Sequence, residues 1–239
     1  MVSKEIELAL NNHDFEVLIQ IGLNNRDQEN FEEAFYCFNK GSEQGHAESQ
    51  CQLGMLYDLG TGCPQDKEKA FELYKEAAKK SALAQRCLGG MYFYGEYVTQ
   101  DYYEAKSWYS KAAKQGNMEA LAMLGAIAEY GYCGKEDISS AVEMYKFAAD
   151  QECNTAQGYL GACYFHGNGV EQDYARAAIL LENAAIEGNR NAQFLFGVMH
   201  YEGLHFEKHA KRGAYWIMLA KNDGHELAQK AWARLKGFE

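Results

Sequence analysis

Apolar residues recur along this chain at the three- and four-residue intervals that place them on one side of an α-helix. Residues 47–59 illustrate the pattern, because Ser49, Leu53 and Tyr57 fall on one face. A second predicted helix follows Asp101, with the sequence YYEAKSWYSKAAK. The alternation of such segments predicts an all-α chain built from pairs of helices.

The helix pairs share one register, because the same residue types return at intervals of about 36 residues. One column of glycines falls in the middle of each first helix: Gly54, Gly89, Gly125, Gly161 and Gly197. A second column follows at the end of that helix: Gly60, Gly95, Gly131, Gly167 and Gly203. A third column is acidic: Asp66, Asp101, Asp137 and Asp173, with His209 in the next slot.

Each column predicts a local structure. A glycine that recurs inside a helix indicates a close approach of two helix backbones, since its conformational cost of about 1 kcal/mol needs a reason. A glycine after the last turn is typical of a left-handed helix stop. An aspartate before the next apolar segment is typical of a helix N-cap.

The segments LGMLYDLGTGCPQDKEKAFELYKEAAKKS and LGACYFHGNGVEQDYARAAILLENAAIEG resemble the Sel-1-like repeat, a relative of the tetratricopeptide repeat. The resemblance implies a right-handed α/α superhelical solenoid of about six helix-turn-helix repeats with terminal capping helices. We expect a single solenoid domain over 1–239, with a divergent cap and first hairpin at 1–45. Five repeats then occupy 46–224, and a capping helix occupies 225–239. Three departures, Ala128, His200 and Gly213, are expected to weaken local packing.

The resemblance also implies that the first helices line the concave surface of the solenoid. Residues opposite the apolar stripe of these helices form a floor of small side chains with aromatic residues at one edge. The predicted partner-binding residues are Met55, Asp58, Arg86, Phe93, Tyr94, Glu129, Tyr130, Phe165, His166, Phe194 and Tyr201. Crowding between helices is the alternative explanation for the small residues, which are Gly90, Ala122, Ala126, Gly158 and Ala162.

Composition and charge exclude several classes of protein. The chain is 47% hydrophobic, with 23 glycines and one proline, Pro64, which excludes collagen-like and disordered chains. Its net charge of −11 argues against nucleic-acid binding. The sequence shows no membrane span and no secretory signal at its start, so we expect a cytoplasmic protein without a membrane partner. An acidic N-terminal segment and a basic C-terminal segment leave a monomer or weak self-association open.

Catalytic and metal-binding motifs are missing from the sequence. There is no nucleophile elbow, phosphate loop or HExxH helix, so we expect no catalytic residues, no cofactor and no metal. His205 and His209 have a spacing that a metal site could use, but a structural role is favoured. The seven cysteines are interpreted as mostly buried free thiols. Cys51 and Cys87 lie on consecutive first helices, and a redox-dependent pair is left open.

The function implied by the resemblance is that of a non-enzymatic scaffold or adaptor. Such a protein would bind an unidentified protein or peptide on its concave face, and an immunity- or effector-type bacterial protein is one version. Two alternatives stay open at this point: a β-lactam-binding or β-lactam-hydrolysing enzyme, as proposed for some family members, and a self-associating assembly protein.

Overall fold

The computed structural model describes residues 4–235, and within that range the chain forms fourteen α-helices and no strand. The helices are α1 (Lys4–Asn11), α2 (Phe15–Asp27), α3 (Phe31–Glu43), α4 (Ala47–Leu59), α5 (Lys67–Ala77), α6 (Ala82–Tyr94), α7 (Tyr102–Lys114), α8 (Met118–Glu129), α9 (Ile138–Asp150), α10 (Asn154–His166), α11 (Tyr174–Ile186), α12 (Arg190–Glu202), α13 (Ala210–Asn222) and α14 (Glu226–Trp232). The last four residues of the predicted capping segment, 236–239, lie outside the described range.

The helices follow one another as six hairpins, from α2–α3 to α12–α13, with α1 and α14 at the two ends. This confirms the predicted all-α architecture of helix-turn-helix repeats. The contacts within the chain divide it into two units, Met1–Ala120 and Leu121–Glu239. The boundary falls within α8, and the assignment of 1–239 to one solenoid domain stays a prediction.

The helix ends are formed as the sequence predicts. Gly60, Gly95, Gly167 and Gly203 follow α4, α6, α10 and α12 in the left-handed conformation, with φ of 70°, 69°, 73° and 80°. The aspartate column caps the second helices, because each carboxylate accepts hydrogen bonds from backbone N–H groups of the first turn. His209 takes the same role at α13, where its Nδ1 accepts from the Arg212 N–H at 3.2 Å.

The central glycines make room for a side chain of the partner helix in most hairpins. A Cβ atom placed on Gly89 would lie 2.6 Å from a ring carbon of Tyr109, about twenty residues further on. The equivalent pairs are Gly54 with Tyr74, Gly125 with Tyr145, and Gly161 with Leu181. At Gly89, Gly125 and Gly161 the nearest atoms all belong to side chains, so the predicted close approach of two backbones is wrong there. At Gly54 the Ala70 carbonyl oxygen also lies near, 3.4 Å from the added Cβ atom.

The last hairpin is different, and there the prediction of close backbones is confirmed. A Cβ atom on Gly213 would lie 2.6 Å from the backbone nitrogen of Tyr201 and 2.7 Å from the carbonyl oxygen of Gly197. Gly213 therefore permits α12 and α13 to touch, and the expectation that it weakens local packing is wrong. His200 is also well packed, being 3% exposed and stacked on Phe206 with 4.3 Å between ring centroids.

The core of each unit follows from the apolar stripe of the first helices. In the first unit, Leu53, Leu88 and Tyr74 belong to one buried cluster that also includes Phe38 and Met91. In the second unit, Leu160, Leu195 and Phe196 are buried on α10 and α12. The opposite side of the first helices is consequently the side on which a binding surface could form.

Candidate interaction face of the first helices

The predicted partner-binding residues lie on the first helices of the hairpins or directly after them. The first unit carries five of them on α4 and α6: Met55, Asp58, Arg86, Phe93 and Tyr94. The second unit carries the other six, along α8, α10 and α12: Glu129, Tyr130, Phe165, His166, Phe194 and Tyr201. Tyr94, Tyr130 and His166 are exposed, whereas the other eight residues are half-buried.

In the first unit, Phe93 and Tyr94 belong to a cluster of aromatic rings at the end of α6. The Phe93 ring packs edge-on against Tyr94 and Tyr102, with centroid distances of 4.9 and 5.3 Å, and lies 6.4 Å from the Tyr109 ring. Phe93 is therefore partly a packing residue. Tyr94 is 61% exposed and stands on this support with most of its surface open to solvent.

In the second unit, the end of α10 repeats this arrangement. Phe165 packs edge-on against His166 at 4.8 Å and against Tyr174 at 5.6 Å. Tyr130, directly after α8, is 55% exposed and lies 5.6 Å from the Tyr132 ring. Burial, with the neighbouring Glu129 carboxylate as a second cause, raises the pKa of Tyr130.

Phe194 and Tyr201, on α12, contact other residues of the second unit. The Phe194 ring stacks on His225 at 4.8 Å and packs against the buried cluster of Ile217, Ala220 and Ala228. The Lys208 ammonium lies 5.7 Å from the centre of the Tyr201 ring. Both rings are thus held by neighbours in the same unit, which leaves less of their surface for a partner.

The charged residues among the predicted partner-binding residues have internal partners. The Lys67 ammonium lies 2.9 Å from Asp58 and 2.5 Å from Glu96, and hydrogen bonds to these two carboxylates raise its pKa. Arg86 Nε lies 2.9 Å from a carboxylate oxygen of Glu119. These charges tie neighbouring elements of the first unit together and are only partly available to another molecule.

Glu129 in the second unit is engaged in the same manner. Its carboxylate accepts a hydrogen bond from the Tyr145 hydroxyl at 2.8 Å and another from the Asn168 amide at 3.0 Å. Both oxygens therefore have donors within the fold. Glu129 links its own helix to the partner helix and to the next loop.

Crowding between helices accounts for some of the small residues of this face but not for all of them. Ala122, Ala126 and Gly158 are buried, and a Cβ atom on Gly158 would lie 2.7 Å from the Asn189 amide nitrogen. Crowding between helices therefore explains Gly158. Gly90 differs, because the nearest atom to a Cβ placed there is the Tyr109 hydroxyl oxygen at 3.8 Å.

Leu59 is an exposed residue of this face that the sequence analysis missed. It is 69% exposed, and it occupies the slot directly before the left-handed glycine, as Tyr94, Tyr130 and His166 do in later hairpins. Its place in the repeat register is the signal that predicts it. The sequence analysis selected aromatic side chains at this slot and therefore left out a leucine. We use the term edge residues for Leu59, Tyr94, Tyr130 and His166.

The described range, residues 4–235, contains no group of three or more His, Cys, Asp and Glu side chains placed to hold a metal ion. Within it, no helix combines the length and the apolar character needed to cross a membrane. Of the histidines considered for a metal, His209 caps α13, and His205 lies exposed in the loop with its ring edge-on to Phe206.

Comparison with known proteins identifies the repeat. The family model described as the Sel1 repeat matches residues 18–46, 47–81, 82–117, 119–153 and 155–189, which is more than half of the chain. The match begins and ends one hairpin earlier than the repeats expected at 46–224. It includes the divergent first hairpin and leaves α12–α13 outside.

Solved structures agree with this match. A Sel1 repeat protein from Oxalobacter formigenes is 28% identical with a TM-score of 0.70, over 92% of this chain and 93% of that one. A protective antigen of uropathogenic Escherichia coli with an SLR fold is 29% identical with a TM-score of 0.62, over 96% of this chain and 50% of the antigen. The chain thus spans half the length of that antigen. An immunity protein from Pseudomonas aeruginosa shares the fold at 21% identity and a TM-score of 0.55, over 85% of this chain and 79% of that one. This chain belongs to the Sel1 repeat family.

Proposed function

We propose that this protein is a non-enzymatic scaffold of the cytoplasm that binds a protein or peptide partner through the edge residues of its first helices. The observation that carries the proposal is the exposure of apolar side chains at one repeated position, with Leu59 69%, Tyr94 61% and Tyr130 55% exposed. Packing explains the half-buried residues around them, but it does not explain large apolar side chains kept in solvent at the same slot.

The chemistry of these positions favours a protein partner. Tyrosine offers a large apolar ring with a hydroxyl at its tip, and it is enriched among the residues that dominate interface energies. Phe93 supports Tyr94 edge-on, so the exposed ring is partly preorganised and loses less freedom on binding. The net charge of −11 favours a partner with a basic surface.

An immunity-type role, in which the scaffold neutralises an effector protein, is the most concrete version of this proposal. The Pseudomonas immunity protein supports it as a relative in fold, at 21% identity.

A photocrosslinking experiment in the native host tests the proposal. A benzophenone amino acid replaces Tyr94 or Tyr130 in separate variants, and adducts are identified by mass spectrometry after illumination. Tyr103 and Tyr215 provide matched controls, because both are exposed tyrosines, 69% and 53% exposed, on the second helices α7 and α13. We expect one protein to be captured from positions 94 and 130 and not from positions 103 and 215.

Two results would contradict the proposal. Capture of the same protein with equal yield from the control positions would show that the edge residues are not the binding surface. Adducts that contain only a second copy of this chain would favour self-association over a separate partner.

A further inference from the structure

The helix α14 covers apolar side chains in the second unit. The buried residues of this contact are Ile217, Ala220 and Ala228. The half-buried Phe194 and Val198 of the first helix α12 pack against them. Phe194 is one of the predicted partner-binding residues. The attachment of α14 therefore determines how much of this apolar surface is open to solvent.

His225 attaches α14 through both nitrogens of its ring and through its ring face. Nδ1 accepts a hydrogen bond from the Ala228 N–H at 3.1 Å and so caps the first turn of α14. Nε2 lies 3.3 Å from Oδ1 of Asn191 on α12. The ring also stacks on Phe194, with 4.8 Å between ring centroids. One imidazole thus joins α14 to α12.

The cap determines the tautomer of this imidazole. A ring nitrogen that accepts from a backbone N–H carries no proton, so the proton of neutral His225 is on Nε2, which donates it to Asn191. A second proton can bind only at Nδ1. Protonation of His225 therefore removes the acceptor of the cap and places a positive charge at a helix N-terminus, which the helix dipole disfavours.

The charged groups around His225 also favour the neutral ring. Burial and the Arg190 guanidinium of α12 lower the pKa of His225, and the Glu226 carboxylate of α14 opposes them as the smallest of the three causes. The α13 residues at this end, Lys221 and Asp223, carry one charge of each sign. The stability that neutral His225 gives is therefore fully present above the usual histidine pKa of about 6.5 and is lost as the pH falls below it.

The N-caps of other first helices respond differently to acid. Ser81 and Asn189 cap α6 and α12 with side chains that stay neutral. His46 caps α4, but the Glu16 carboxylate lies 3.8 Å from its Nε2 and stabilises a protonated ring. His225 differs from His46 because its Nε2 faces the neutral amide of an asparagine.

We propose that α14 is a pH-sensitive cover of α12, which neutral His225 keeps in place and which protonation of His225 releases, so that Phe194 becomes exposed. The half-buried ring takes its proton from solvent. The helix has only seven residues, so its stability depends on the contacts that attach it. The inference does not rest on the proposed partner, because it concerns only the attachment of α14 within this chain.

His200 on α12 is a second imidazole that acid would disturb. It is 3% exposed and stacks on Phe206, and its Nε2 has no hydrogen-bond partner among the residues that the structure describes. Burial, with Arg212 and His209 as further causes, lowers its pKa. His200 lies near the end of α12, whereas His225 contacts the start of that helix, so substitution separates the effects of the two rings.

Hydrogen exchange of the full-length protein at pH 7.5 and pH 5.5, measured by mass spectrometry and corrected for the intrinsic rates, tests the inference. We expect the amides of α14 to lose protection by at least about fivefold at pH 5.5, whereas those of α6 keep theirs. Hydroxyl-radical footprinting should show more oxidation of Phe194 at pH 5.5. His225→Asn keeps a cap of the kind that Asn189 provides but has no imidazole, so the acid loss at α14 should disappear.

His200→Tyr and His205→Asn are the matched controls in the same unit. Tyrosine occupies the slot of His200 in other repeats, as in Tyr164, and asparagine suits the exposed position 205, where φ is 69°. Both variants should lose protection of α14 at pH 5.5 as the unsubstituted protein does.

Three results would overturn the inference: equal protection of α14 at the two pH values in the unsubstituted protein, an acid loss that persists in His225→Asn, or an acid loss that His200→Tyr abolishes. Nitrogen chemical shifts of the histidine rings in the unsubstituted protein decide the question even if a variant fails to fold. We expect the proton of His225 on Nε2 at pH 7.5, and a proton on Nδ1 would contradict the assigned cap.

Discussion

Two regions of a hairpin differ in how strongly packing constrains their side chains. We call the contact between its two helices the seam, and the end of its first helix the edge. At the seam, a glycine faces a fixed neighbour, either a ring, as in Gly89 with Tyr109, or a backbone, as in Gly197 with Gly213. At the edge, the side chain before the left-handed glycine changes from leucine to tyrosine to histidine and, in the last hairpin, to Glu202, and it stays exposed. The seam is constrained by packing, whereas the edge is free to vary.

The difference separates positions that determine the stability of the fold from positions that are available to recognise a partner. In a close-packed seam, the addition or removal of a single methyl group lowers the free energy of unfolding. An exposed side chain with few contacts can change at little cost to the fold, so its identity can serve a partner. Substitutions at the seam should therefore change the free energy of unfolding, whereas substitutions at the edge should change the affinity for a partner.

The largest expected effect on stability is at the seam of the last hairpin. Gly213→Ala restores the alanine found in this slot of other repeats, yet its methyl group would collide with backbone atoms of Tyr201 and Gly197. We expect the free energy of unfolding to fall by about 3 kcal/mol in urea denaturation. The reverse change, Ala177→Gly, should cost about 1 kcal/mol. A stabilised Gly213→Ala variant would show that the two helices do not touch there.

A smaller loss is expected at a seam filled by a ring. In Gly89→Ala the new methyl group meets the Tyr109 ring at 2.6 Å, and the ring can shift only against other core side chains. We expect a loss of about 2 kcal/mol in the free energy of unfolding. Gly90→Ala, one residue away, meets nothing closer than 3.8 Å and should be neutral or more stable by up to about 1 kcal/mol. Equal effects of the two substitutions would be incompatible with the seam as described.

Removal of a helix cap should have an effect of about half that size. Asp101 accepts hydrogen bonds from the backbone N–H groups of Tyr103 and Glu104, so Asp101→Ala should lower the free energy of unfolding by about 1 kcal/mol. Asn30, before α3, makes no side-chain cap hydrogen bond, and Asn30→Ala should have a much smaller effect in the same denaturation experiment. If Asn30→Ala costs as much as Asp101→Ala, the hydrogen bonds of the cap are not the source of the stability.

The charge of a capping aspartate should make the stability of the fold weakly dependent on pH. Hydrogen bonds from the Ser140 backbone and side chain hold the pKa of Asp137 below its usual range. The stability from its ionised form is therefore present above the usual aspartate pKa and is lost as the pH falls through the lowered value. Asp137→Asn keeps a good cap residue without the charge. We expect its melting temperature to be lower than that of the unsubstituted protein at pH 7, with the gap closing in acid. A gap that is independent of pH would contradict the assigned cause.

The repeat register predicted most of the fold, because glycine and aspartate columns mark helix ends through purely local geometry. The helix limits, the left-handed stops and the caps follow from those residues. The seam was harder to predict, since the ring of Tyr109 reaches Gly89 from about twenty residues away. The candidate site was predicted in part. Tyr94 and Tyr130 are exposed as expected, but the internal partners of Arg86 and Glu129 depend on side-chain placement that spacing alone does not specify.

The most direct test of the difference between seam and edge is the affinity of edge variants for the protein captured by crosslinking. Tyr94→Ala and Tyr130→Ala should each change the free energy of unfolding by less than about 0.5 kcal/mol. Each should nevertheless weaken binding by about tenfold or more in calorimetry, whereas Tyr103→Ala should bind as the unsubstituted protein does. Unchanged affinity in both edge variants, or an equal loss in Tyr103→Ala, would contradict the assignment of recognition to the edge.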